Sequence, residues 1–550
     1  MCGIILLWGT AVTKAQVEAA LTALGPRGPD IARAEVFVHD ATGHTIGLGF
    51  ARLHIQGARA GAEQPFRLEG GAFVAVNGEV FNSEILVETL GLTVPEGSSD
   101  CAVVPALLER GLPLETVARQ LDGDFAIVTM DPATGTITTT RDPYGVRPMF
   151  YAEGPGWAGL ASEIKGFPAG ATHVEAIEPG TVRRFRIGED SSVGTVWHQP
   201  PWLKVPVWRA SVEGLATGGQ ALAHALEEAV VKRLSTVRAV GACLSGGLDS
   251  SLVAALAARH LARRGRRLHT YSIGMAGSPD LEHARLVAMH IRSIHHERVV
   301  TPEECLEVIP TVVHAIESFD ITTVRASVGN YLVGRLVTEI TPEVKVVLNG
   351  DGADEVLGGY LYMRAAPDDA AFEAETDRLL REIHRYDVLR SERSMAAHGL
   401  ESRSPFLDRQ FVSVARGLPT DALRPTSRMM EKSILRTAFA DTGLLPDAVL
   451  WRRKEAFSDG ISRAERSWFE MAREEGERRA AAGSGGDWRR AAEAYTVNPP
   501  PTAEALWYRQ LFHESYPEAA AAAAAPAMWM PRFVAGATDP SARTLNLYRE

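Results

Sequence analysis

Three short stretches of this chain hold residue types that could do chemistry. Cys2 stands directly behind the initiator methionine. Once Met1 is removed, which a side chain as small as cysteine permits, one residue carries both a thiol and a free α-amine. That amine has an ordinary pKa of about 7.7–8.0, so it can take the thiol proton near neutral pH and activate the sulfur as a nucleophile. The bland alternative is a small apolar residue near a terminus. With four cysteines in 550 positions, chance puts one at position 2 in under ~1% of such chains, which favours the nucleophile. The second stretch, Ser245-Gly246-Gly247-Leu248-Asp249-Ser250, lies between an apolar run and a helical one. Its glycines let the backbone turn tightly and aim N–H groups at phosphate oxygens, the helix N-terminus adds positive potential, and the serine hydroxyls add donors. Asp249 suits Mg2+ better than phosphate itself. This is not the G-x-x-x-x-G-K-[ST] loop of kinases. The third stretch, Asn349-Gly350-Asp351-Gly352-Ala353-Asp354-Glu355, also closes an apolar run, Val344 to Leu348, where ligands of open α/β sheets bind.

The elements that must position these stretches fall into two regions. Up to about residue 200 the chain reads as short strands, among them Gly47 to Leu53, Ala72 to Val76, Phe125 to Met130 and Thr136 to Thr140, punctuated by Gly, Pro and Asp. Gln199 to Arg209 (QPPWLKVPVWR) has prolines that block regular pairing, so 201–217 is expected to be a linker between domains at 2–200 and 218–550. Beyond it, helices at Ala221 to Leu234, Ser251 to Leu261 and Leu281 to Ile291 alternate with strands at Val237 to Leu244, His269 to Gly274, His296 to Val300 and Val344 to Leu348. Thr301-Pro302-Glu303-Glu304 predicts a capped helix start. Apolar strands alternating with helices imply a parallel α/β sheet. After about Asp369 the pattern is mainly helical, and the Ala519 to Ala525 run is expected to be a helix or a surface insertion.

Composition narrows the function classes. With 45% hydrophobic and 23% charged residues this is a globular composition, and a net charge of −11 argues against a nucleic-acid-binding face. No run has the ~20 apolar residues of a membrane helix, and MCGIILLWGT has no basic region ahead of its short apolar run. Four cysteines make no disulfide framework, so the simplest home is a reducing cytoplasm.

Longer motifs carry a resemblance. Cys2 with Arg27-Gly28-Pro29-Asp30, Arg52-Leu53-His54-Ile55-Gln56, Asn77-Gly78-Glu79 and Ser99-Asp100 resembles the class II glutamine amidotransferase domain, which implies an N-terminal αββα sandwich of the Ntn-hydrolase type. On that resemblance Arg52 clamps the α-carboxylate of glutamine, Ile55 belongs to the same site, Glu79 and Asp100 hold the α-ammonium, and Asn77 and Gly78 form the oxyanion hole. The family commonly has His where Pro26 stands. SGGLDS resembles the loop of ATP pyrophosphatases. NGDGADE resembles the family's SGEGSDE, with Asn349 for Ser, Asp351 for Glu and Ala353 for Ser. Ser272-Ile273-Gly274-Met275, Ser318 to Ser327 (SFDITTVRAS), Lys454 to Gly460 (KEAFSDG) and Asp539 to Leu545 (DPSARTL) extend the likeness to glutamine-hydrolysing asparagine synthetases over nearly the whole chain.

That family resemblance implies an adenylating α/β domain with helical additions. Leu244, Ser245, Gly246, Gly247, Asp249, Ser250, Ile273, Asn349 and Gly350 would bind ATP, and Asp249 and Asp354 would hold Mg2+. Asp351 would help form or aminate an acyl-adenylate, Lys454 would neutralise phosphate charge, Arg325 would clamp phosphate or carboxylate, and Glu455 would lie where aspartate is recognised. The implied partners are small molecules (ATP, aspartate and glutamine), with no nucleic acid, no membrane and a homodimer left open. The alternatives are an amide-forming ligase for a different acceptor carboxylate, or a stand-alone glutaminase or non-catalytic scaffold in which the altered NGDGADE loop marks a silent synthetase site. Cys2 weighs against a β-lactam synthetase, and SFDITTVRAS and KEAFSDG favour aspartate.

Overall fold

A computed structural model describes all residues except 58–62, 190–191, 197–211, 455–461, 463–465, 484–486, 535 and 542–550. The N-terminal region packs two antiparallel six-stranded sheets face to face. One runs in the order β10 (His173–Ala176), β8 (Phe150–Gly154), β9 (Trp157–Ala161), β1 (Gly3–Gly9), β3 (Thr45–Arg52), β2 (Ile31–Val38). The other runs β12 (Ser192–Val196), β11 (Thr181–Arg186), β7 (Thr136–Arg141), β6 (Gly123–Asp131), β5 (Phe73–Val80), β4 (Phe66–Arg67). Period-two alternation assigns each face. Ile4, Leu6 and Trp8 of β1 meet Phe73, Ala75, Ala126 and Val128 of β5 and β6 in the middle layer. The outer face of β1, Ile5 and Leu7, packs on α1 (Lys14–Leu24) through Val17 and Leu21. Val74, Val76, Phe125 and Ile127 on the far side pack against α2 (Ser83–Leu90), α3 (Val103–Glu109) and α4 (Leu114–Gln120). Helix, two sheets and helices give the αββα sandwich, with β1 delivering Cys2 to one end of the middle layer.

The expected linker 201–217 lies outside the described residues as far as 211, and from 212 it is already helical. There α5 (Val212–Lys232) begins, earlier than the composition shift at residue 218 indicated. The second region follows the expected strands and helices closely. A five-stranded parallel sheet runs β15 (Ile294–Val300), β14 (His269–Met275), β13 (Ala239–Cys243), β16 (Val344–Leu348), β17 (Glu401–Arg403). Helices α6 (Leu248–Ala262), α7 (Pro279–His290), α8 (Pro302–Glu307), α9 (Ile309–Ile316) and α10 (Ile321–Ile340) cover it. The capping box at α8 is formed, with Thr301 and Glu304 exchanging backbone and side-chain hydrogen bonds. After β16 come α11 (Ala353–Leu357), α12 (Asp369–Glu382) and α13 (Asp387–Ala396), then further helices, including Ala519–Ala524. The chain leaves β13 outward through β14 and β15, then returns to the other side at β16. The order therefore reverses between β13 and β16, and such a switch point opens a crevice at the strands' carboxyl ends. SGGLDS follows β13 and NGDGADE follows β16. Among the described residues no helix is long and apolar enough to cross a membrane.

Candidate active sites

At the amino end of β1, the Cys2 backbone N–H donates to Asn77 Oδ1 at 2.7 Å, and Arg27 Nε donates to the Cys2 carbonyl at 3.0 Å. Using its oxygen this way leaves Asn77 Nδ2 buried without a hydrogen bond, a donor available to a ligand. Gly78 is required by packing: a Cβ there would lie 2.1 Å from the Asp124 carbonyl oxygen on β6. Met1 is buried, and its α-amine stands 3.5 Å from Glu401. Burial raises the Cys2 thiol pKa, and the neighbouring α-amine and the Leu53 backbone pull it back. Arg52 is buried and donates from Nη2 to the Gln56 carbonyl at 3.1 Å. Asp100 accepts from Val80 N, while burial lifts its carboxyl pKa to about 6. Burial, with Asp100 and Glu401 adding repulsion, raises Glu79 well above the ordinary range, although Arg403 Nη2 lies 3.1 Å from its carboxylate. Cys2, Asn77, Gly78, Glu79 and Asp100 thus share one end of the sandwich. The Ile55 carbonyl accepts from Val237 N and Thr236 Oγ1, both at 3.0 Å, and so ties this end of the sandwich to the second region. Pro26 lies in a 3-10 turn, Gly25–Arg27, where its fixed φ fits the first turn.

At the switch point of the parallel sheet a cavity of about 240 Å³ opens. Ser245 and Ser250 meet across its first loop at 3.0 Å, and Gly247 caps α6. Gly350 lets the second loop approach the first, because a Cβ there would sit 2.7 Å from Ser250 N. Leu244, Ile273, Asn349, Asp351 and Asp354 line the same space. Lys432 Nζ is 2.6 Å from both Asp249 and Asp354, and Lys454 Nζ is 2.6 Å from Asp354 and 3.9 Å from Asp249. Burial pushes the Asp354 carboxyl up, but the two ammonium groups outweigh it and hold its pKa well below the usual range. Asp351 receives Arg390 Nη2 at 3.0 Å, and burial raises its pKa against that cation. Arg325 lines the cavity, yet its guanidinium is taken by Glu504 at 2.6 Å and Asp539 at 2.9 Å, which join α10 to the C-terminal segment. Glu455 and Ser458 to Gly460 lie outside the described residues.

Sequence reasoning missed Lys432, Arg390 and Asp387. Lys432 begins the helix Ser433–Phe439 from a left-handed backbone position (φ 57°), inside no motif with a recognisable spacing. Only the tertiary fold brings it between two aspartates from distant segments. It also missed the buried ionic seam between the domains. Arg27 pairs with Glu163 and Glu392, Arg233 with Asp124 and Asp408, and Glu317 accepts the Ile164 and Lys165 N–H groups at 2.9 and 2.8 Å.

The fold defines a class: an N-terminal-nucleophile sandwich joined to a parallel-sheet domain with a phosphate-type loop at its switch point. Comparison with known proteins is consistent with both halves. The glutamine amidotransferase domain model matches residues 1–193, and the asparagine synthase model matches 221–378 and 364–535. Proteins named glutamine-hydrolyzing asparagine synthetase match end to end. Those of Gallus gallus and Homo sapiens are 37% identical to this chain, and that of Bos taurus 38%; each alignment covers 100% of this chain and 99% of the relative. The chain belongs to the asparagine synthetase family.

Proposed function

We propose that this protein makes asparagine from aspartate, using ATP and the amide nitrogen of glutamine. The observation that carries the reading is the pair of built sites in one chain: Cys2 with the unsatisfied Asn77 Nδ2, and the lysine–aspartate cluster at the switch point. At the first site the Cys2 thiol attacks the side-chain carbonyl of glutamine. Asn77 Nδ2 and the Gly78 N–H meet the developing oxyanion, ammonia leaves, and water releases glutamate from the thioester. Removal of Met1 frees the Cys2 amine to act as base. Arg52 binds the α-carboxylate of glutamine, and Glu79 and Asp100 its α-ammonium.

At the second site the β-carboxylate of aspartate attacks the α-phosphorus of ATP, and pyrophosphate leaves. A bare carboxylate has no adequate leaving group; in β-aspartyl-AMP, AMP supplies one. Ammonia then adds to the acyl carbon and AMP departs. Free ammonia at neutral pH is mostly non-nucleophilic ammonium, so internal delivery from the first site keeps the base form available. Lys432 and Lys454 neutralise phosphate charge, and Asp351 orients the nitrogen nucleophile. The donors suit Mg2+: Asp249 Oδ1 is buried without a hydrogen bond, and Asp249 and Asp354 offer hard oxygens from the first turns of α6 and α11. Among the described residues no cluster of three metal-binding side chains occurs. A cation held by two carboxylates and completed by substrate phosphates matches that donor set. When bound, Mg2+ supplies charge neutralisation for the triphosphate. The four free cysteines suit a reducing cytoplasm.

The test is pyrophosphate release with ATP, Mg2+ and glutamine, with and without aspartate, alongside chromatography for asparagine. Aspartate-dependent pyrophosphate with matching asparagine supports the reading. Glutamate release without either product refutes the aspartate assignment.

A further inference from the structure

We propose that Asn349 is a positioning residue that sets Asp351 for the synthetase reaction. The inference rests on the function proposed above. Asn349 directly follows β16 and is buried. Its Oδ1 accepts the Asp351 backbone N–H at 3.1 Å and the Ser404 hydroxyl at 2.8 Å, while its Nδ2 donates to Ser402 Oγ at 2.7 Å. Its own backbone N–H donates to the Arg403 carbonyl at 3.1 Å. Three of these hydrogen bonds bolt the start of the NGDGADE loop to β17 and to the residue just after it, and the fourth braces the loop internally.

The carboxylate of Asp351 is held at its other end. Arg390 Nη2 donates to Asp351 Oδ1 at 3.0 Å, and Arg390 is itself oriented by Asp387 Oδ1 at 2.9 Å and by Asn330 Oδ1 at 3.0 Å. Asp351 Oδ2 is buried, makes no hydrogen bond and belongs to a residue lining the cavity. A glutamate at 351 would carry its carboxylate one methylene, about 1 Å, farther from the backbone. A side chain of serine length at 349 cannot reach Ser402 and also cap the Asp351 N–H. Asn349 thus fixes the backbone from which Asp351 reaches. The same strand faces the first site with its alternate side chains: Arg403 meets Glu79 at 3.1 Å, and Glu401 meets the Met1 amine at 3.5 Å.

The test is a double-mutant cycle, Asn349→Ser and Asp351→Glu, read as kcat and KM of ammonia-dependent asparagine synthesis in the full-length enzyme. Each single substitution is expected to lower kcat about 10²-fold, the loss for a reacting group displaced by ~1 Å, with little change in the KM for ATP. Because Asn349 acts through Asp351, the double variant is expected to be no more than about tenfold slower than Asp351→Glu alone, where independent losses would multiply to about 10⁴-fold. Losses that simply multiply would mean the two positions act independently, which overturns the inference. Ser402→Ala is the check if Asn349→Ser does not fold. It removes only the Nδ2 anchor and should lower kcat while leaving glutaminase activity intact; an unchanged kcat overturns the positioning role. An unsubstituted chain that makes no aspartate-dependent pyrophosphate refutes the proposed function itself, and the inference with it.

Discussion

Replacing Lys432 with methionine removes one cation and keeps most of the side-chain volume. Lys432 is 1% exposed and sits 2.6 Å from both Asp249 and Asp354. A hydrogen bond to a charged group nets about 1.5–3 kcal/mol, so two of them set an upper range of about 3–6 kcal/mol. Lys454 stays 2.6 Å from Asp354 but only 3.9 Å from Asp249, so Asp249 loses its close partner while Asp354 keeps one. The expected cost is therefore near the low end, about 3 kcal/mol, or a fall in Tm of about 6 °C for a domain of this size. Activity should fall further than stability. Deleting one preorganised group that meets developing charge costs roughly 10²–10³-fold in kcat. Pyrophosphate release with ammonia as nitrogen donor measures that loss, and glutamine hydrolysis in the same sample serves as the control. Losing a cation also lets the Asp354 pKa rise. A carboxylate held low in the fold contributes stability above its unfolded pKa, and that stability is lost as pH falls through the folded value. The pH of acid unfolding should therefore move upward in the variant. A kcat within twofold of the unsubstituted enzyme would refute the charge-neutralising role.

Cys2→Ala should abolish glutamine-dependent synthesis and spare the ammonia-dependent reaction, because only the nitrogen source is lost; equal loss of both would argue against separate sites. Intact-mass spectrometry of the active enzyme should show Met1 absent, since the Cys2 amine is otherwise an amide. Burial pushes the Asp100 carboxyl up to about 6, so if it holds the α-ammonium as proposed, the KM for glutamine should rise as pH falls through 6 and the carboxylate is protonated. The stability term has the opposite sign. A carboxyl whose folded pKa is raised binds its proton more tightly in the fold, so this group favours folding as pH falls from about 6 toward its unfolded value of about 3.9. Asp100→Asn should flatten the KM profile. Asp539→Asn removes one of the two carboxylates holding Arg325 and should raise the KM for ATP at least about tenfold if one charged bond of about 1.5 kcal/mol is lost; an unchanged KM would show that the anchoring of Arg325 does not shape the ATP site.

Local chemistry and period made much of this protein legible in its sequence. The strands Gly123–Asp131, His269–Met275 and Val344–Leu348 announce themselves by apolar runs bounded by turn residues, and Thr301 with Glu304 marks a helix start. Cys2, SGGLDS and NGDGADE are each contiguous, so their chemistry could be named before any fold was known. The tertiary structure decided what depends on distant segments meeting. Lys432 lies 183 residues from Asp249 and Arg390 lies 39 from Asp351, so no window of sequence could show either contact. Arg325, which a motif alone would make a ligand clamp, is committed to Glu504 and Asp539 because α10 and the C-terminal segment converge there. Asn349 reads as one letter of a loop, and only the pairing of β16 with β17 sets it beside Ser402 and Ser404. Side-chain type and short-range spacing fix which reactions are available. Burial and the meeting of charges across the chain fix which groups are ionised, oriented and within reach.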